Sequence, residues 1–198
     1  VCSSDLDAAD ADWLADVERV LDVGGDAPRE LPDGYCSEVC PRVAGWLAEI
    51  AAGLERGAVI LIDYGLPRRH YYHPERVAGT LRCHFRQRAH DDPFSNPGLT
   101  DITAWVDFTR VAEAADAAGL EVAGFATQAA FLLSLGIESL VATTGDGLGD
   151  ARHLAAVQGL KRLLLPGEMG EAVKVMVLTR GLDRPLRGLR LQDLRGSL

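Results

Sequence analysis

The stretch Gly57-Ala58-Val59-Ile60-Leu61-Ile62-Asp63-Tyr64-Gly65 constrains the fold more than any other part of the chain. Five consecutive apolar residues, Ala58 to Ile62, end abruptly in a carboxylate, an aromatic ring and a glycine. A run so short and β-branched, without polar alternation, predicts a strand buried on both faces, as in a parallel sheet. In open α/β sheets ligands sit beyond the carboxyl ends of the strands, which places Asp63 and Tyr64 at the mouth of such a crevice. The plainer alternative is that Asp63 caps the following turn while Gly65 supplies a permissive backbone.

At 198 residues, 47% hydrophobic and 25% charged, the chain has ordinary globular usage and enough length for one sizeable core. No apolar run approaches the roughly 20 residues of a membrane-spanning helix. The start, Val-Cys-Ser-Ser-Asp-Leu, has neither the basic region nor the apolar core of a signal peptide. It also lacks an initiator Met, and the expectation is the tail of a longer protein rather than a processed N-terminus. Four cysteines, Cys2, Cys36, Cys40 and Cys83, make no disulfide framework in a chain this long. Cys36 and Cys40 straddle a helix start expected at Pro41, and no second Cys/His pair stands at zinc spacing. The expectation is no metal site and a reduced, cytoplasmic chain.

Charge is unevenly spread. Residues 1–40 hold eleven acids against Arg19 and Arg29, which equals the whole net charge of −9. Residues 68–90 carry six Arg and four His against the single acid Glu75. A nucleic-acid binder spreads such basic density over a whole face. One basic segment in an acidic protein points instead to a local anion site or a solvated loop.

The elements alternate along the chain. An apolar helical stripe covers Ala9 to Leu21, and Gly24 to Gly34 is turn-rich. A second helix is predicted over Pro41–Glu55, then the strand at 58–63. Residues 66–103 read as a long irregular segment, and loops of that length in compact domains are usually functional. A third helix follows near Phe108–Ala118, with Asp107 as a candidate N-cap and Gly119 as the residue just past its end. Leu120–Phe125 suits a strand, Ala129–Leu135 a short helix, Gly145–Asp150 a polar loop and His153–Leu164 another helix. Ala172–Thr179 alternates, placing Val173, Val175 and Val177 on one face of a last strand. Residues after Pro185 read as a frayed polar tail. The order suits the C-terminal half of a doubly wound α/β sheet. No G-x-G-x-x-G, P-loop or G-x-S-x-G is present.

Many segments in order carry a resemblance. They begin with Leu31-Pro32-Asp33-Gly34-Tyr35 and Glu38, then Gly57 to Gly65, Gly79-Thr80-Leu81-Arg82, and His90 with Asp92-Pro93-Phe94. Pro97-Gly98-Leu99-Thr100-Asp101-Ile102-Thr103-Ala104-Trp105-Val106-Asp107-Phe108 follows, then Gly119-Leu120, Thr127-Gln128, Phe131-Leu132, Leu135-Gly136-Ile137, and Met169-Gly170-Glu171 before Lys174-Val175. Over about residues 31–180 the chain resembles the C-terminal half of the MidA-like family of S-adenosylmethionine-dependent methyltransferases. That family includes a mitochondrial arginine methyltransferase that assists respiratory complex I assembly.

The resemblance implies a Rossmann-like class I methyltransferase sheet with an antiparallel last strand. Residues 1–180 would form the C-terminal part of the domain, and 181–198 a polar tail. The strands at 58–63, 120–125 and 172–179 would be its fifth, sixth and antiparallel seventh. The cofactor implied is S-adenosyl-L-methionine, held mainly by residues upstream of this chain, and the acceptor an arginine of a protein, such as a respiratory-complex subunit. A guanidinium is always charged and a poor nucleophile, so carboxylates would have to orient it and offset its charge. Asp63, Asp101 and His90 are the catalytic candidates, with His90 as a proton relay or a solvent-facing loop residue. Tyr64, Gly65, Thr103, Asp107, Gln128 and Glu38 are candidate substrate contacts. Asp101 in a turn and Asp107 as a cap are the plainer readings. Many family members carry His where this chain has Trp105, so Trp105 receives no catalytic role. The alternative function is a non-catalytic assembly or protein-binding module that uses the 66–103 segment as its surface.

Overall fold

The structure, a computed structural model, describes residues 32–143, 150–182 and 184–198. The helix expected over 9–21, the turns up to residue 31 and most of the 145–150 loop lie outside the described residues. The chain forms two compact units, one of Val1–Arg42 with Leu66–Asp107 and the other of Val43–Gly65 with Phe108–Leu198.

In the second unit, helix α1 (Val43–Gly53) leads into β1 (Gly57–Leu66), and α3 (Phe108–Ala117) leads into β6 (Glu121–Thr127). Three strands run side by side in the order β1-β7-β6, with β7 spanning Val173–Arg180. β7 is antiparallel to both neighbours, so β1 and β6 are parallel to each other. The antiparallel last strand is what the resemblance implied, and the fold inserts it between two parallel ones.

The local signals explain the element ends. α3 stops at a Schellman motif: Gly119, at φ 75°, donates to the Asp116 carbonyl and Leu120 to that of Ala115. The Arg180 guanidinium then gathers carbonyls at the ends of both helices, from Ala51 in the last turn of α1 and Leu54 just past it, and from Ala118 and Gly119 after α3. A cation there also meets the negative end of each helix dipole. Leu47 and Ala51 of α1 and Phe108, Val111 and Ala115 of α3 are buried, and the Phe108 and Phe125 rings stack at 5.1 Å.

Two strands differ from expectation in burial. The alternation along β7 predicts one buried face, yet every residue from Val173 to Thr179 is buried. The apolar run of β1 predicts burial on both faces, yet Ile60 and Ile62 are 53% and 56% exposed. The reason is what lies across each face: β7 is covered on both, whereas among the described residues one face of β1 has no cover.

After β6 come α4 (Gln128–Leu135), α5 (Ile137–Ala142), α6 (Ala151–Leu164) and the short α7 (Met169–Ala172). Thr127 caps α4 by accepting from the Ala130 N–H, and Gly136 ends it in the left-handed region. The residues after Pro185 are not a frayed tail. Leu194 donates to the Phe125 carbonyl at 2.7 Å, Arg195 to that of Val122 at 3.1 Å, and Leu191 to the Ser134 hydroxyl at 3.2 Å. Gly124 permits this docking, since a Cβ there would lie 2.3 Å from Leu189 Cδ1. The polar composition of this segment hid a set of regularly placed hydrogen-bonding groups.

The first unit corrects the reading of 66–103 as irregular. Pro67 precedes a four-residue helix, α2 (Arg68–Tyr71), and a small sheet follows in the order β3-β2-β4. Its strands are β2 (Arg82–Phe85), β3 (Arg88–His90) and β4 (Asp101–Thr103), and the two-residue β5 (Val106–Asp107) closes the segment. Arg86 and Gln87, at φ 49° and 63°, form the tight turn between β2 and β3. Such turns ordinarily select Asn-Gly, which is why this hairpin was not legible.

Candidate functional site

In the first unit the polar residues converge on Glu38. Its carboxylate accepts from the Thr80 N–H at 3.0 Å, the Leu81 N–H at 2.9 Å and the Thr80 hydroxyl at 3.0 Å. Tyr71 brings its hydroxyl to 3.3 Å of the same carboxylate and 3.1 Å of the Trp105 carbonyl. Thr80 Oγ1 accepts from the Trp105 N–H, and the Tyr72 hydroxyl donates to the Glu38 carbonyl. Gly79 must be glycine here: at φ 68°, an added Cβ would lie 2.3 Å from Glu38 Oε1. Burial, followed by the Glu38 charge, pushes the Tyr71 hydroxyl well above the ordinary tyrosine range, so it stays a donor. With its oxygens so engaged, Glu38 clamps the N-terminal segment onto the 79–81 turn and is not open to a guanidinium.

Asp107 is similarly engaged. Its carboxylate accepts from Arg68 Nε at 3.3 Å, both side chains being nearly buried at 13% and 8% exposed. Asp107 directly precedes α3, the position expected of its cap, and the ion pair ties it to Arg68 rather than leaving it open to a substrate; removing one partner of such a pair leaves a buried charge. Arg76 lies over the Trp105 ring at 5.3 Å, a cation–π contact that gives Trp105 a packing role.

The small sheet sorts the remaining candidates by face. Asp101 is opposite His84, and Thr103 opposite Arg82, on one side; Cys83 is opposite His90 and Ile102 on the other. Asp101 is exposed in β4 rather than in a turn, with no hydrogen-bond or ionic partner among the described residues. Thr103 donates its hydroxyl to the Arg82 carbonyl at 3.2 Å. His90 is neither in a loop nor solvent-facing: it ends β3, and its Nε2 is buried without a partner among the described residues. A proton relay needs an exchange partner, and the residue directly opposite is the fully buried Cys83.

In the second unit, Asp63 lies within β1, not in a turn after it, because the strand continues to Leu66. Its Oδ1 accepts from the Tyr64 N–H at 2.7 Å, and the carboxylate is otherwise exposed. Across the sheet Asp63 is opposite Lys174, which is in turn opposite Thr127. The Lys174 ammonium is buried and donates to the carbonyls of Glu171 and Ala172, and burial lowers its pKa. Sequence reasoning passed over Lys174, although one lysine inside Val173-Lys174-Val175-Met176-Val177 is a visible signal. Tyr64 is 39% exposed and Gly65 is buried. Gln128 is removed from the candidate contacts: it is buried and donates its amide to the Leu163 carbonyl at 3.0 Å.

A nucleoside-bearing cofactor in a doubly wound sheet is held by a glycine-rich turn between a strand and a helix N-terminus. Neither parallel strand is followed by one. β1 runs into Pro67 and a four-residue helix. β6 runs straight into α4, whose capping Thr127 is already engaged by Ala130 and by Gln192 Oε1, at 2.9 Å from its hydroxyl. The described residues therefore offer no cradle that fits S-adenosylmethionine.

A parallel strand pair split by an antiparallel last strand, with helices between, is a Rossmann-like methyltransferase arrangement. Residues 5–126 match the family described as "Putative S-adenosyl-L-methionine-dependent methyltransferase", and the chain belongs to that family. It is 38% identical to an uncharacterised protein of Burkholderia thailandensis, with a TM-score of 0.85 over 96% of this chain and 48% of that one. It is 39% identical to a second Burkholderia thailandensis structure, bound to S-adenosyl-homocysteine, with a TM-score of 0.83 over 97% of this chain and 46% of that one. A curated relative, protein arginine methyltransferase NDUFAF7, mitochondrial, of Xenopus laevis, is 30% identical over 144 residues, 69% of this chain and 30% of its own. The chain thus spans about half the length of the solved relatives and less than a third of the curated one.

Proposed function

We propose that the chain is the C-terminal half of an S-adenosylmethionine-dependent methyltransferase that modifies an arginine of a protein, with the cofactor held by residues upstream of Val1. The observation that carries this reading is the β1-β7-β6 arrangement, matched along 97% of the chain by a relative that binds S-adenosyl-homocysteine. The arginine acceptor draws its support from the Xenopus relative and from two exposed carboxylates, Asp63 and Asp101, that no cation engages among the described residues. Bound S-adenosylmethionine supplies an electrophilic methyl group. The chain's own part is to hold and orient the guanidinium, and Asp63 is the first choice because it stands near the carboxyl end of a strand parallel to β6. Thr103 and Tyr64 remain as substrate contacts; Glu38, Asp107 and Gln128 act as structural ties.

The test is methyl transfer by the protein extended through its upstream coding sequence. With labelled S-adenosylmethionine and arginine-bearing protein acceptors, respiratory-complex subunits among them, methylarginine should appear in the digested product. Label on lysine or on a small molecule, with none on arginine, overturns the acceptor. The 198-residue chain alone should show no saturable S-adenosylmethionine binding at micromolar concentrations in calorimetry, and clear saturation would place the cofactor site within it.

A further inference from the structure

We propose that the tip of the β2–β3 hairpin is a docking point for an acidic stretch of the protein acceptor. The inference deepens the proposed function and rests on its reading that the acceptor is a protein. The basic composition of residues 68–90 left two readings open, a local anion site or a solvated loop, and the structure separates its six arginines. Arg68 is held by Asp107, Arg76 lies over Trp105 and donates to the His70 carbonyl, and Arg82 pairs with Asp91. Of the other three, Arg86 and Arg88 stand together at the hairpin tip. Both are exposed, and no carboxylate engages either among the described residues.

Their backbone shows that these residues are not there for folding alone. A two-residue loop with both φ angles positive is the turn that Asn-Gly fills with least strain. Arg86 and Gln87 adopt it at 49° and 63°. A sequence that keeps two long polar side chains where the turn disfavours them gives up stability for what they present at the tip. Phe85 steadies the first of them, since the Arg86 guanidinium lies over its ring at 5.3 Å. A guanidinium stacked by its face keeps its N–H edge for a partner, and a carboxylate accepts two of those bonds at once. Arg88 is directly opposite Phe85 in the hairpin register, which brings the second cation to the same place.

The choice of occupant follows from charge and position. With a net charge of −9 the chain repels an extended polyanion such as nucleic acid, whereas a short acidic stretch need reach only the tip. In the same small sheet Asp101 is opposite His84, and Arg86 stands two residues further along β2, roughly 7 Å at the usual rise. An acceptor with its arginine on Asp101 therefore brings the residues beside that arginine to the tip. The chemistry of the tip selects acids at those positions.

The experiment is fluorescence anisotropy of a short labelled peptide, rich in Glu and free of arginine, titrated with the whole chain at low salt. Saturable binding is expected. Arg86→Gln with Arg88→Gln should weaken it by about 10-fold, the loss of two exposed charge contacts, and leave the melting temperature unchanged. Arg86→Asn with Gln87→Gly should also weaken it, yet raise the melting temperature, because the residues preferred by the turn replace strained ones. Arg69→Gln, on an exposed residue of α2, serves as the control and should leave binding intact. No saturable binding, binding unaffected by the Arg86 and Arg88 changes, or an RNA oligonucleotide bound more tightly through the same two arginines each overturn the proposal. A lower melting temperature for the Arg86 and Arg88 pair, with no peptide bound by the unaltered chain, also overturns it and assigns the tip to acids of the chain itself. Binding is scored without arginine or S-adenosylmethionine. Peptide binding in a protein that methylates no arginine therefore sinks the proposed function and leaves the docking point standing, whereas methylarginine without peptide binding sinks the docking point alone.

Discussion

β1 and β7 are adjacent, paired residue for residue, and similar in sequence, yet their environments are opposite. Val-Ile-Leu-Ile in β1 shows half its side chains to water, while Val-Lys-Val-Met-Val in β7 is buried throughout, lysine included. The more apolar strand is the more exposed. Burial here is a property of what lies across each face, and that is decided by strand order rather than by the strand's own residues.

The largest expected effect that sharpens this contrast is on β7. Val177→Asp places a carboxylate at a position 1% exposed and should leave the chain unfolded, by loss of the circular-dichroism melting transition. A folded Val177→Asp variant would mean that β7 is not covered as described. Next, Met176→Ala should destabilise by about 2–5 kcal/mol in urea unfolding, as large-to-small changes in cores do. Ile62→Ala on β1 should cost less than about 1 kcal/mol in the isolated chain, since little of its surface leaves water on folding. Equal costs at the two positions would erase the distinction between the strands.

A smaller effect concerns chemistry rather than folding. In the protein extended through its upstream half, Asp63→Asn should lower kcat/KM by roughly 10- to 150-fold, the loss of one charge-assisted contact of about 1.5–3 kcal/mol. Asn keeps an oxygen to accept the Tyr64 N–H, so the melting temperature should not move. Methylation within twofold of wild type would return Asp63 to a purely structural role.

The smallest effect is a slope with pH. Burial lowers the Lys174 pKa in the folded chain below its ordinary 10.5, so the unfolded chain binds more protons between the two values. Stability should therefore rise with pH on the approach to 10.5 from below. Lys174→Met should flatten that rise in the urea midpoint. Tyr71 acts in the opposite sense above its unfolded value of 10.0, because its raised folded pKa keeps the proton that the unfolded chain loses, which sets the upper edge of the window.

How much of the site was legible follows the same division. Asp63 and Asp101 were found by residue type and by the segments that resemble a family, and the structure leaves both carboxylates exposed. Glu38, Asp107 and Gln128 carry the same signals, yet each is engaged by a partner between 35 and 43 residues away: Thr80 and Leu81, Arg68, and Leu163. A sequence shows that a carboxylate is present; it does not show which distant N–H groups close on it.

By itself the sequence determined what is local. Apolar runs and the Gly119 stop placed β1, α3, β6, α4 and β7 to within a few residues, because hydrophobic patterning and backbone preference act over neighbouring positions. The order of segments determined the family. Only the tertiary structure decided that β7 lies between β1 and β6, that the last residues dock against β6, that the 82–103 segment folds into a small sheet, and that the open face belongs to β1. Each of these depends on contacts between residues far apart in the chain, where the same apolar or polar side chain is equally content in several places until the rest of the fold removes the alternatives.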